Sequence, residues 1–224
     1  MVDILYEDSH LLVCVKPIGI LSQPDLGGEE DLLTVLKTYL EKKNENVNVG
    51  LVHRLDRNVG GVMVYSKKTI VTSKLSKAIQ DRNFQKEYFA VVHNCPQEKT
   101  GVYKDLLFKD SSKNKSFVVD RPRKGVKEAI LEYDVIDTKN TQIGVVSLIK
   151  IRLQTGRTHQ IRVQFSSRKM PLVGDGKYGS KDNECEIALW SYRLAFQHPI
   201  KGKNVEFTQA PPNCYPWNLF EMNQ

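Results

Sequence analysis

The residues best suited to chemistry lie in one short run, Leu51-Val52-His53-Arg54-Leu55-Asp56-Arg57-Asn58-Val59-Gly60-Gly61, where a single carboxylate stands among three bases. Neighbouring cations favour the charged form of a carboxylic acid, and a charged carboxylate can act as a nucleophile or a base. The Gly60-Gly61 pair that follows permits a tight turn or a close approach by a ligand. A second run, Leu153-Gln154-Thr155-Gly156-Arg157-Thr158-His159-Gln160-Ile161-Arg162-Val163, passes from a strand through a glycine turn into an amphipathic helix, with Thr158 as the expected N-cap. Ile161 and Phe165 are four apart and face the core, whereas His159 and Arg162, three apart, share another face on the first turn. Arg162 then offers a planar guanidinium from a rigid element, suited to holding a carboxylate or phosphate with two hydrogen bonds.

These two runs need elements to hold them, and the hydrophobic pattern supplies candidates. Short apolar runs at 11–15, 61–65, 88–93, 129–135, 145–153 and 188–196 read as strands. Two or three helices are expected, from the segments 30–43, with Leu32, Leu33, Leu36 and Leu40 at helical spacing, 71–82, with Leu75 and Ile79, and 158–168. Because strands and helices do not alternate regularly, the expected class is α+β, a mixed and mainly antiparallel sheet with flanking helices. The polar stretch 110–125, with five lysines and arginines, reads as an exposed hairpin or loop and a candidate RNA contact. No repeat, low-complexity tract or linker interrupts the chain, so a single domain over 1–224 is expected.

Composition narrows the function. The net charge of +7 is unevenly spread, with nine acids against four bases in residues 1–50 and seven bases without an acid between residues 138 and 174. Residues 67–86 add six bases against one acid. Such segments suit a polyanionic partner. The four cysteines are scattered, with no paired motif and no clustered histidines, so neither a metal site nor redox chemistry is expected. No dinucleotide-binding or phosphate-loop signature occurs. The acidic first residues do not read as a signal peptide and no apolar run has membrane-spanning length, so a cytoplasmic protein is expected.

Taken together, the motifs resemble the RluA-type family of RNA pseudouridine synthases over most of the chain, from about residue 5 to residue 212. Tyr6-Glu7-Asp8 through Lys16-Pro17-Ile18-Gly19 is similar to the family's opening hairpin, and His53-Arg54-Leu55-Asp56 to the signature carrying its catalytic aspartate. Lys86-Glu87-Tyr88-Phe89-Ala90-Val91 resembles the segment with its active-site tyrosine, and Thr155-Gly156-Arg157-Thr158-His159-Gln160-Ile161-Arg162 the motif with its active-site arginine. Pro171-Leu172-Val173-Gly174-Asp175, Tyr178-Gly179 and Leu194-Ala195-Phe196-Gln197-His198-Pro199 also fit. One departure stands out: the family usually has Thr-Ser-Gly where this chain has Val59-Gly60-Gly61. Two hydroxyls that would support the catalytic loop are missing, which raises the alternative of a weak or inactive RNA-binding or ribosome-assembly protein.

The resemblance implies an isomerase that breaks the bond from ribose C1′ to uracil N1 and rejoins the base through C5 in ribosomal or transfer RNA. Asp56 would act at the sugar, either as nucleophile at C1′ or as base at the 2′ position. Tyr88 would lie against the uracil, Arg162 would orient Asp56, and Arg54 would fill the gap left by the extruded base. Lys16, His53, Arg57, Arg157 and His159 are expected RNA contacts. No cofactor and no metal is implied, and a monomer without an S4-like RNA-binding module is expected. A hydrolase for small nucleosides is the third reading, which the extended basic stretch disfavours.

Overall fold

The computed structural model describes residues 2–45 and 48–222, so Met1, Asn46, Val47, Asn223 and Gln224 of the expected 1–224 domain lie outside the described residues. In chain order the elements are β1 (Ile4–Glu7), β2 (Leu11–Lys16), α1 (Leu32–Lys42), β3 (Gly50–Leu51), β4 (Gly60–Ser66) and α2 (Thr69–Gln80). Then follow β5 (Phe84–His93), β6 (Thr100–Asp110), β7 (Lys115–Val119), β8 (Val126–Thr141), β9 (Gly144–Leu153), α3 (Gln160–Ser166), β10 (Leu189–Gln197) and β11 (Asn204–Thr208). The α+β class with a mainly antiparallel sheet is therefore as the pattern predicts. Among the described residues, no helix is long and apolar enough to cross a membrane.

The chain divides into two compact units, one of Met1–Lys86 with Trp190–Ala210 and one of Glu87–Leu189 with Pro211–Gln224. No linker marks the boundaries in the sequence because the chain passes from unit to unit inside β5, at the start of β10 and shortly after β11.

In the first unit β4 is the central strand, buried along its whole length. One edge pairs with β2, antiparallel from Leu11↔Ser66 to Lys16↔Gly61. The other edge carries β10 in parallel at Gly60 and Gly61 and β3 at the far end. Val62 and Val64 of β4 pack with Leu11 and Val13 of β2, Val71 and Leu75 of α2, and Leu194 and Phe196 of β10. Phe84 stacks on Phe196 in the same core with centroids 4.7 Å apart. Helix α1 starts two residues later than the leucine spacing predicts, because Asp31 is its N-cap and accepts the Thr34 N–H at 3.0 Å.

In the second unit β9 lies between β5 and β8, β8 pairs β6, and β6 pairs β7, all antiparallel. The basic stretch read as a hairpin or loop is a hairpin: β6 turns at 111–114 into β7. Helix α3 lies against this sheet. Phe165 sits edge-on to Tyr103 and Tyr133, and Gln164 Nε2 donates to the Asp105 carboxylate at 2.7 Å. The helix is shorter than expected and Thr158 does not cap it. His159 takes the left-handed conformation with φ 53°, so helical geometry begins only at Gln160. The Gln160 carboxamide oxygen instead organises the preceding turn, accepting from Thr155 Oγ1 and the Arg157 N–H.

The Val59-Gly60-Gly61 departure has a packing explanation. A Cβ on Gly60 would stand 2.3 Å from Trp190 Cζ3 and 3.1 Å from Ile18 Cγ1, so the indole fills the space a serine would need. At Gly61, φ is +117° and a Cβ would meet the Ser191 carbonyl oxygen at 2.3 Å, so glycine is required where β4 meets β10. Gly60→Ser is expected to destabilise the protein by about 1–3 kcal/mol through overpacking. In chemical denaturation, Gly60→Ser combined with Trp190→Leu should cost clearly less than the two changes summed, and simple additivity would refute the packing explanation.

Candidate active site

Asp56 lies in the loop leading into β4, and that loop is held from beneath by the segment after β2. Lys16 has no exposed surface. Its ammonium donates to the carbonyls of Pro17 at 2.8 Å, Ile20 at 2.7 Å and Arg57 at 3.0 Å. Three carbonyl acceptors match the three N–H bonds of an ammonium, whereas a neutral amine offers only two. Burial pushes the Lys16 pKa down to about 8 and the Asp56 charge pulls it back up. On the other side of Asp56, Ser22 Oγ donates to the Leu55 carbonyl at 2.9 Å and accepts the Leu55 N–H at 3.1 Å. The Gly19 N–H donates to the Arg57 carbonyl, and Arg57 Nε donates back to the Gly19 carbonyl at 2.9 Å. The residues on both sides of Asp56 are thus fixed to residues 16–22, and the loop is supported without the two hydroxyls that the sequence lacks.

The expected RNA contacts in this unit sort by exposure. Arg54 and Arg57 are exposed, and Arg57 also pairs with Glu29 at 2.7 Å. Lys16 is not available to RNA: buried, with every N–H bonded to the backbone, it serves the Asp56 loop instead. His53 faces inward. Its Nε2 accepts the Val64 N–H at 3.4 Å, its ring lies 5.9 Å from Phe84, and burial with the Lys86 charge pushes its pKa down to about 3.

The second unit holds Tyr88, Arg157, His159 and Arg162. Tyr88 is 5% exposed and sits opposite Ile151 in the β5–β9 ladder. Arg162, also buried, grips the Asp175 carboxylate with two hydrogen bonds, Nε to Oδ2 at 2.7 Å and Nη2 to Oδ1 at 2.8 Å. Its guanidinium lies over the Tyr178 ring, 5.0 Å from the centroid. His159 Nδ1 is 2.9 Å from the Tyr178 hydroxyl, so His159 and Arg162 share one tyrosine although His159 precedes the helix. Arg157 is exposed and its Nε donates to the Glu128 carbonyl at 2.8 Å. Ser22 carries no chemical signal in sequence, and Tyr178 stands out there only as part of a family motif, since each gains its hydrogen-bond partners from residues far along the chain.

Tertiary structure also redistributes the charge. Of the seven bases between residues 138 and 174, five are paired with acids from outside that stretch: Lys139 with Asp137, Lys150 with Glu87, Arg152 with Glu132, Arg162 with Asp175 and Arg168 with Asp105. Most of the excess charge in that stretch is thus matched by acids that lie outside it in sequence. Lys68, Lys74, Lys77 and Arg82 on and beside α2, and Lys113, Arg121, Arg123 and Lys124 around the β6–β7 hairpin, are exposed.

Asp8, His10 and His198 bring ligand-type atoms within 4.8 Å of one another. Their contacts describe an internal pin. His198 Nδ1 accepts the N–H groups of Ile200 and Lys201, which leaves Nε2 to donate to Asp8 at 3.1 Å. The Lys201 ammonium also sits on the Asp8 carboxylate and opposes a second cation there.

The family model described as RNA pseudouridylate synthase matches residues 10–167, and the chain belongs to that family. It is 32% identical over 229 residues to an uncharacterised RNA pseudouridine synthase from Aquifex aeolicus, covering 96% of this chain and 71% of that protein. It is 34% identical over 220 residues to the ribosomal large subunit pseudouridine synthase C of Buchnera aphidicola, covering 92% of this chain but 65% of that protein. Among solved structures, human RNA pseudouridylate synthase domain containing 4 shares the fold, with a TM-score of 0.78 at 21% identity over 97% of this chain and 91% of that one. By family, the chain is an RNA pseudouridine synthase.

His53 offers a direct check on the loop's packing. Its folded pKa of about 3 lies below the ordinary 6.5, so the folded state keeps the ring neutral while the unfolded chain takes up a proton. The corresponding stability is present above pH 6.5 and is lost as pH falls toward 3. The melting temperature should therefore drop more steeply between about pH 7 and about pH 4 in the parent than in His53→Gln, and parallel curves would show that the ring is not held neutral.

Proposed function

We propose that this protein converts uridine to pseudouridine in ribosomal RNA, with Asp56 acting at the ribose of a base extruded from its stack. The observation that carries this reading is the pinned loop: the motif carboxylate stands between two residues whose backbone is fixed by Lys16, Gly19 and Ser22. Preorganisation of that kind suits an isomerase, which must attack one atom and then hold the detached base for rejoining. Tyr88 lies against the uracil and serves proton removal from C5, and Arg162 orients Asp56. Arg54 occupies the gap in the RNA stack, while Arg57, Arg157 and His159 contact the RNA. The two units act together as one catalytic domain, as the match to a single family model across both of them supports.

Large-subunit ribosomal RNA is the favoured substrate over transfer RNA because similar proteins carry that name. The exposed bases of α2 and of the β6–β7 hairpin supply the salt-dependent grip on phosphate. The reaction rearranges one nucleotide without net oxidation or group transfer to a second molecule. A monomer working in the cytoplasm completes the proposal. The reading as an inactive RNA-binding protein loses its motive, since Trp190 occupies the space of the missing serine and Ser22 holds the loop.

Total RNA from cells lacking this gene, tritiated at uridine C5, tests the reading. The parent should release tritium, and Asp56→Asn should lower the rate by about a thousandfold or more while still binding RNA. Absence of release by the parent would overturn the proposal. RNA binding without release would favour the inactive reading, and free uracil would favour a hydrolase.

A further inference from the structure

Tyr178 joins the basic β6–β7 hairpin to Arg162. At the hairpin end, the Ser116 N–H at the start of β7 donates to the Tyr178 hydroxyl at 2.8 Å. The hydroxyl proton has two acceptors within reach, His159 Nδ1 at 2.9 Å and the Ser116 carbonyl at 3.3 Å. Ser116 Oγ donates to the Thr158 carbonyl at 2.7 Å, a second tie between the hairpin and the turn before α3. At the other end, the Tyr178 ring lies under the Arg162 guanidinium. The Tyr178 N–H donates to the carbonyl of Asp175, the residue whose carboxylate grips Arg162. Cross-ties reinforce the same path: Lys115 Nζ donates to the Lys177 carbonyl at 2.6 Å and Lys177 Nζ to the Asn114 carbonyl at 3.2 Å. Tyr178 itself is 6% exposed and packs with Leu107, Ala129 and Val163.

A hydroxyl of this kind is a poor choice for core filling alone, because a buried O–H must find partners or cost stability. Here the partners are a strand that begins at the tip of a basic hairpin and a histidine that opens the arginine's helix. We infer that Tyr178 is a positioning residue: through its hydroxyl, the placement of the β6–β7 hairpin on RNA sets the placement of Arg162. This rests on the reading that Arg162 acts at the target uridine and that the hairpin bears on RNA. Its consequence is that hairpin contacts raise the rate of the bound complex and not only the affinity. Chemistry is thereby favoured on RNA that engages the hairpin.

The test is tritium release with enzyme in excess over target sites in C5-tritiated total RNA, giving a plateau rate and a half-saturating enzyme concentration. Tyr178→Phe keeps the ring under Arg162 and removes the hydroxyl. Its plateau rate should fall about tenfold, with half-saturation and melting temperature within about twofold and a few degrees of the parent. The exposed pair Lys113→Ala, at the hairpin turn, and Arg123→Ala, in the connection after β7 and over the Phe108 ring of β6, should lower both plateau rate and affinity in the parent, but only affinity in the Tyr178→Phe background. A Tyr178→Phe plateau equal to the parent's would overturn the inference, and so would equal effects of the hairpin changes in both backgrounds. If Tyr178→Phe melts early, Ser116→Ala, which cuts only the second tie, must reproduce a smaller loss of plateau rate at unchanged half-saturation, or the inference fails. Arg162→Lys separates the two levels. Full activity there would remove the catalytic reading of Arg162 and this inference with it, whereas its inactivity beside a fully active Tyr178→Phe would remove the inference alone.

Discussion

A fully buried ammonium under the Asp56 loop is the constraint from which the first unit's functional geometry follows. Taking a charge out of water costs several kcal/mol unless hydrogen bonds and an opposite charge offset it. Lys16 meets that requirement with three carbonyls and the nearby Asp56 charge. Two of those carbonyls belong to the chain just after β2 and one to the chain just after Asp56. The two segments cannot separate without leaving the ammonium unsatisfied. The turn that carries the carboxylate is thus fixed through its backbone on both sides of Asp56.

The second unit uses the same device with the charges arranged differently. The Arg162–Asp175 pair is almost wholly buried and doubly hydrogen bonded, the geometry in which an arginine keeps a single orientation. Removing one member would strand the other charge in the interior, at a cost of about 3–5 kcal/mol. Asp175 and Tyr178 lie in one short turn, so the acid that grips the guanidinium and the ring that supports it move as one piece. In both units a buried cation is oriented by internal partners.

Exposed charge follows a different logic. A stretch of sequence rich in bases need not become a basic surface, because an acid on a neighbouring strand can neutralise each base in turn. Glu87 of β5 and Glu132 of β8 flank β9 and take up Lys150 and Arg152. The bases of α2 and of the β6–β7 hairpin escape this fate because a helix exterior and a hairpin tip have few strand neighbours. Phosphate contacts belong on such surfaces, where a cation retains its freedom to meet an anion.

The sequence by itself determined a good deal. The short apolar runs located β2, β4, β5, β9 and β10 and the core of the longer β8, and the helical spacing located α1, α2 and α3 to within two residues at each end, since burial imposes such patterns on a sequence. The ordered motifs around Asp56, Tyr88 and Arg162 established the family, because chemistry demands particular side chains at set spacings. What the linear pattern could not show was decided by partners distant along the chain. Lys16 reads as a surface base until three carbonyls enclose it. Val59-Gly60-Gly61 reads as a loss until Trp190, 130 residues onward, is found in the vacated space. Tyr178 reads as a motif residue without an assigned task until β7 delivers Ser116 to its hydroxyl. Hydrogen bonds and close packing are set by distance in space, and only the folded backbone supplies those distances.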